Sequence, residues 1–242
     1  MDGFIASIFA TVCTHPIDVL KTQYQITKLP ISSLHNHITA SGYKGYYNGL
    51  HANIMTYPIF WGVYFAFRDV KYNTGSPYVD SVVGSLFAST IASGFANPLF
   101  VLKVRRQTET LRHNHYTYLQ MINHIYKHEG MRGYMKGYGA TLMTNTKLII
   151  QFPLYDYIKH KTDNIVASSI ASKTITSMIF YPFDTIRTVQ RDNPHNITTL
   201  NILKTLVREK RLYRGCGLYI LSTTPNFVLM MLFKDLISKY MN

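Results

Sequence analysis

Three short segments place charged side chains at a fixed distance behind a proline. They read Pro16-Ile-Asp-Val-Leu-Lys-Thr-Gln-Tyr-Gln25, Pro98-Leu-Phe-Val-Leu-Lys-Val-Arg-Arg-Gln107 and Pro182-Phe-Asp-Thr-Ile-Arg-Thr-Val-Gln-Arg191. Proline inside a helix removes one hydrogen bond and bends the axis. Three bends at one depth would gather three helices at the base of a cavity, where the acid of one segment meets a base of another. Partly buried ion pairs roughly balance desolvation against attraction, which suits contacts that form and break repeatedly. No nucleophile–base pair, metal-ligand spacing or phosphate-binding loop is present, and His15, His35, His37 and His51 share no register. The expected chemistry is binding and gating, with no catalytic residue, no metal and no cofactor.

Two further lysines stand apart from these segments. Lys147 and Lys173 interrupt otherwise apolar or small-residue stretches. Isolated lysines in membrane spans are costly and are functional candidates for that reason. Tyr57, Trp61, Tyr64 and Phe152 offer stacking surfaces to an aromatic cargo.

Holding these groups requires a repeated scaffold. The prolines lie 82 and 84 residues apart, and each follows a run with small residues four apart, at Ala6/Ala10, Gly84/Ala88 and Ser168/Ser172. That spacing lets helix backbones approach closely in lipid. A glycine-bounded element follows each segment, over 41–49, 129–137 and 209–215, and eighteen residues beyond its closing glycine stands Phe67, Tyr155 or Phe233. Each repeat reads as a proline-kinked helix, a loop with a short amphipathic helix, a glycine turn and a second helix. The surface helix is clearest in the third repeat, with Ile197, Leu200, Leu203 and Leu206-Val207 on one face. Six spans are expected, at 3–28, 50–72, 80–107, 138–160, 165–191 and 216–239. They form one domain over 1–242, with repeats at 1–75, 76–162 and 163–242.

Composition agrees with a membrane protein that has a polar interior. The formal net charge is +13, yet charged residues make up only 15% and aromatics reach 14%. Mean hydropathy is −0.02 and no window holds twenty uninterrupted apolar residues, so spanning rests on pattern and on helices lining an aqueous cavity. Cys13 and Cys216 have no ligand spacing. Neither a secretory signal nor an arginine-rich transit peptide is expected, so targeting would be internal. A soluble helical array is disfavoured by repeats of about eighty residues with short, aromatic linkers. A nucleic-acid binder is disfavoured by the lack of a recognition motif and by apolar content concentrated in six runs.

The pattern P-x-D/E-x-x-K/R-x-K/R-x-Q, met with departures three times over and each time followed by the glycine element, resembles the mitochondrial carrier family along essentially the whole chain. The resemblance implies an all-α membrane fold of six transmembrane helices in three pseudo-symmetric pairs, with amphipathic helices on the matrix side. It implies a matrix gate in which Asp18 pairs with Lys103 and Asp184 with Lys21, braced by Gln25 and Gln107. Phe100 occupies the third acidic slot and would leave Arg187 without its expected partner, while Arg191 takes the third glutamine place. The cytosolic gate motif is kept only at Tyr155-Asp156-Tyr-Ile-Lys159. Elsewhere the acid is shifted, and Asp69, Asp156 and Asp235 would pair with Lys159, Lys234 and Lys71. Gly49, Gly137 and Gly215 start helices whose N–H groups can hold a lipid phosphate, and with Arg132, Lys136 and Arg214 nearby they imply cardiolipin as partner. The family's substrate contact points fall on Thr56/Tyr57, Thr144/Asn145 and Ser222/Thr223, and Lys147 stands where that helix normally has proline.

Ala52-Asn53, Phe65–Asp69 and Tyr181–Thr185 resemble stretches of ADP/ATP carriers, but the arginine–methionine run of those carriers is missing after Arg187. The expected function is exchange of an anionic solute across the mitochondrial inner membrane by alternating access, a nucleotide or deoxynucleotide first. Carriage of a phosphorylated cofactor or dinucleotide comes next, then of a small carboxylate or amino acid. The protein would work as a monomer among membrane lipids, with no nucleic acid. The abundance of Asn, Ile, Lys and Tyr points to an AT-rich protist or large-virus genome, in which case the membrane served could be a host's.

Overall fold

In the computed structural model, the described residues are 2–40, 42–68, 77–112, 116–195 and 197–240. They are helical, with no strand among them. Long helices are α1 (Asp2–Ile26), α3 (Leu50–Arg68), α4 (Pro77–Arg112), α8 (Ile165–Asp192) and α10 (Cys216–Tyr240). The fourth expected span is divided into α6 (Tyr138–Asn145) and α7 (Lys147–Thr162). Shorter helices α2 (Ile31–Ala40), α5 (Tyr118–Tyr134) and α9 (Thr199–Arg208) lie between the members of each pair. Among the described residues, Val82–Glu109 is the stretch long and apolar enough to cross a membrane by composition alone. The other spans carry polar residues that face the interior.

Pro16, Pro98 and Pro182 all lie inside α1, α4 and α8. The residue before each proline hydrogen-bonds the carbonyl just before the closing glycine of its own repeat. His15 Nε2 meets the Asn48 oxygen at 3.1 Å, Asn97 Nδ2 donates to the Lys136 oxygen at 3.1 Å, and the Tyr181 hydroxyl donates to the Arg214 oxygen at 2.6 Å. Three chemically different side chains thus tie the bend of the first helix to the start of the second.

The closing glycines satisfy a backbone requirement. Gly49, Gly137 and Gly215 have φ of 83°, 75° and 85°, in the left-handed region that L side chains rarely adopt. A Cβ on Gly137 would also lie 2.9 Å from the Arg187 carbonyl oxygen.

Small residues let the helices close. Ala88, Ala92 and Ala96 of α4, and Ser168, Ser172 and Thr176 of α8, are fully buried. Asn145 of α6 donates to Ser93 Oγ at 2.9 Å, and the Tyr138 phenol packs beside Gly94. The surface helices dock differently from the sequence expectation. In α9 it is Ile202 and Leu206 that pack on Ala140 and Ile186, with Leu203 beside them. Leu200 and Val207 point outward and are exposed. Thr117 and Gln120 form a reciprocal capping box at the start of α5, which satisfies two otherwise orphan donors.

Cationic side chains close two helix ends, where unpaired carbonyls collect negative potential. Arg211 donates to the Gln25 oxygen in the last turn of α1 and to the Thr27 oxygen just past it. Lys136 donates to the Asn193 and Pro194 oxygens beyond α8, and Arg105 to the Arg191 oxygen. Arg105 and Lys136 share Glu129, whose side chain is 4% exposed. Burial raises the Glu129 carboxyl, but hydrogen bonds from Arg105 and Lys136 outweigh it and hold the group below the usual glutamate range.

Candidate transport site

A central cavity of about 320 Å³ opens between the long helices. Its wall includes His15 and Lys21 from α1, Thr56, Phe60 and Trp61 from α3, Phe100 and Lys103 from α4, Asn145 from α6, Arg187 and Arg191 from α8, and Tyr219, Ser222 and Thr223 from α10. Lys21, Lys103 and Arg187, each five residues after its proline, come together from α1, α4 and α8 in the cavity wall.

One expected pair is present there. Lys103 Nζ lies 2.9 Å from Asp18 Oδ2, and Gln107 donates to the same oxygen at 2.8 Å. Two other expectations need correction. Asp184, fully buried, pairs at 2.6 Å with Arg187 of its own helix and not with Lys21. Arg187 therefore does have a partner, because three residues on a helix bring an arginine head back over the acid one turn earlier. Lys21 instead lies over the Tyr219 ring, 5.1 Å from its centroid. Gln25 donates to the Tyr181 hydroxyl at 2.9 Å.

The third position is rebuilt without an acid. The Arg191 guanidinium lies 4.6 Å from the Phe100 ring centroid, and its NH2 donates to Asn97 Oδ1 at 3.0 Å and Thr141 Oγ1 at 2.9 Å.

Of the expected contact residues, Thr56, Asn145, Ser222 and Thr223 line the cavity. Thr144 is buried behind the wall, its hydroxyl donating to the Ala140 oxygen at 2.8 Å. Lys147 and Lys173 are also behind it: Lys147 Nζ donates to the Tyr219 hydroxyl at 2.9 Å, and Lys173 Nζ lies 5.4 Å from the Phe227 centroid. The Tyr57 side chain falls outside the described residues.

Sequence reasoning missed Tyr219 and its counterparts. Asn53, Thr141 and Tyr219 each stand four residues after a closing glycine, and all three line the cavity. That shared offset was the available signal.

Of the expected cytosolic pairs, Asp156 and Lys159 lie near the end of α7. Asp69 and Lys71 lie outside the described residues, as do the side chains of Lys234 and Asp235. At the opposite end, Arg132, Lys136, Gly137, Gln190 and Thr198 surround a cleft between α6 and α9.

Comparison with known proteins decides the family. The model of the mitochondrial carrier protein matches three times, at residues 1–73, 74–165 and 161–242. The chain belongs to the mitochondrial carrier family. This carrier is a transporter and not an enzyme. It is 33% identical to nicotinamide adenine dinucleotide transporter 2, mitochondrial, of Arabidopsis thaliana, over 94% of the chain and 74% of that protein. It is 28% identical to nicotinamide adenine dinucleotide transporter 1, chloroplastic, of the same plant, over 94% and 86%. A mitochondrial carrier-like protein of Acanthamoeba polyphaga mimivirus is 27% identical over 97% of the carrier and 93% of its own length.

Proposed function

We propose that the carrier exchanges a phosphate-bearing nucleotide-type anion across the mitochondrial inner membrane by alternating access, a dinucleotide in preference to a single nucleotide. The observation that carries the reading is the chemistry of the cavity: among the described residues Lys21, Lys103, Arg187 and Arg191 line it against one acid, Asp18, with Phe60 and Trp61 on the α3 wall. The cations suit phosphates and the rings suit bases. The names of the two plant relatives move a dinucleotide ahead of the mononucleotide or deoxynucleotide expected from sequence. In this reading the Asp18–Lys103 contact between α1 and α4 and the Phe100–Arg191 contact between α4 and α8 close the matrix side, while Asp156 and Lys159 belong to the cytosolic closure. Cargo binding offsets the loss of one closure while the other forms.

Cardiolipin fits the helix starts at Gly49, Gly137 and Gly215, and the cleft beside Arg132 and Lys136 supports that placement. The carrier acts as a monomer in this scheme. Reconstitution into liposomes loaded with NAD+, ADP, a deoxynucleotide, malate or glutamate tests the cargo. Exchange of NAD+ above the others supports the reading; exchange of malate or glutamate alone overturns it.

A further inference from the structure

The base of the cavity gathers more positive charge than its acids neutralise, and one tyrosine organises the excess. Asp184 stands within electrostatic reach of Lys21, Lys147 and Arg187, and among the described residues it is ion-paired with Arg187. The two lysines come from different helices, α1 and α7, and converge on Tyr219 of α10. Lys147 donates to the Tyr219 hydroxyl at 2.9 Å. Its Nζ also lies 5.3 Å from the ring centroid, and Lys21 Nζ lies 5.1 Å from it. A phenol can serve both, since its oxygen accepts a hydrogen bond while its face attracts a cation. Tyr219 lines the cavity and Lys147 does not, so the ring stands between that ammonium and the cargo space.

We propose that Tyr219 is a positioning residue that couples anion binding to release of the cavity base. The proposal rests on the reading of the cargo as an anion. In the empty cavity, the hydroxyl and ring of Tyr219 hold Lys147 and Lys21 in place. A phosphate oxygen is a stronger acceptor for an ammonium than a neutral phenol. An entering anion therefore draws Lys21 off the ring and Arg187 toward the cavity, both of which line it, so Tyr219 and Asp184 lose cations they held while Lys147 stays on the hydroxyl. The base loosens only when cargo is present, which is the requirement for strict exchange.

Liposomes loaded with NAD+ test this by comparing exchange against external NAD+ with efflux into NAD+-free medium. In Tyr219→Leu, which lacks hydroxyl and ring, efflux relative to exchange is expected to rise about tenfold, a shift of ~1.4 kcal/mol. Tyr219→Phe keeps the ring and is expected to show a smaller rise. A proportional fall of both rates, leaving the ratio unchanged in both variants, overturns the proposal. A cargo-free measurement stands beside it: a double-mutant cycle of Tyr219→Phe and Lys147→Met on unfolding temperature in detergent. Non-additive losses are expected because both substitutions remove one shared hydrogen bond, and additive losses overturn the link. The cycle still decides the role of Tyr219 if the leucine variant does not fold. If NAD+ is not carried, the cargo reading fails by itself and the cycle remains valid.

Discussion

Arg191 lies with its guanidinium 4.6 Å from the centroid of Phe100. Both residues depart from the repeat pattern, one in the acidic slot and one in the glutamine slot, and each makes the other tolerable. A ring cannot neutralise a charge, but its face attracts one, by about 2 kcal/mol where water is excluded. The positions equivalent to these are Asp18 and Gln107, which touch at 2.8 Å. The stack therefore occupies the place of a braced ion pair. Phe100→Asp would put a carboxylate between Arg187 and Arg191 and strengthen the matrix-side closure. The unfolding temperature in detergent should rise by about 2–4 °C, the equivalent of ~1 kcal/mol in a chain of this size. Unchanged stability and unchanged exchange in that variant would count against the assignment.

The Asp18–Lys103 pair is mostly shielded, at 19% and 16% exposure of the two side chains. Removing one partner leaves the other charge without compensation. Asp18→Asn and Lys103→Met should each lower stability by about 2–3 kcal/mol. The reciprocal double variant, Asp18→Lys with Lys103→Asp, should recover part of that loss, and failure to recover any would separate the two residues.

The Glu129 cluster predicts an acid limb in stability. Its carboxyl sits below the ordinary value of 4.5, held there against burial by Arg105 and Lys136. A depressed carboxylate contributes stability above its unfolded value and loses it as pH falls through the folded value. The contribution is thus complete at neutral pH and disappears as pH falls below about 4.5. Glu129→Gln should lower stability at pH 7 by about 3–5 kcal/mol, because two buried cations lose their acid. Unfolding temperatures from pH 7 to pH 3 check this: the gap between wild type and variant should narrow toward the acid end.

Tyr181→Phe removes a single oxygen that donates to the Arg214 carbonyl and accepts from Gln25. The loss leaves buried polar groups unpaired, so about 1–3 kcal/mol of stability should go with little change of shape. A neutral result would mean that the tie between bend and glycine turn in the third repeat is incidental.

Lys173 is a cleaner probe of long-range attraction than the residues at the base, since it lies behind the cavity wall beside Phe227. Lys173→Met should raise the KM for NAD+ about fivefold, from the loss of one cation in a partly shielded site, while the maximal rate changes less. Wild-type kinetics would remove this lysine from the binding mechanism.

Much of the architecture was legible in the residues. Three prolines, three closing glycines and matched apolar runs specify three helix pairs, because a helix bend and a left-handed turn are local requirements of backbone chemistry. The Thr146 break within the fourth span was not predicted, although Lys147 stands ten residues after Gly137, as Pro225 does after Gly215.

The partners of the charges were less legible. Spacing placed Asp18, Lys21, Lys103, Asp184 and Arg187 at one depth, and Asp18–Lys103 formed as expected. Which base reaches which acid depends on distances of a few ångströms between helices and on side-chain rotamers. Those are settled only by packing across the bundle. So Asp184 turned to Arg187 on its own helix, Lys21 went to a tyrosine, and Lys147 withdrew behind that same ring. The sequence by itself determined the repeats and the depth of the charged layer, because those follow from local backbone rules. Only the tertiary structure decided the pairing within that layer, where Tyr219 and Phe100 do work that the repeat pattern assigns to acids.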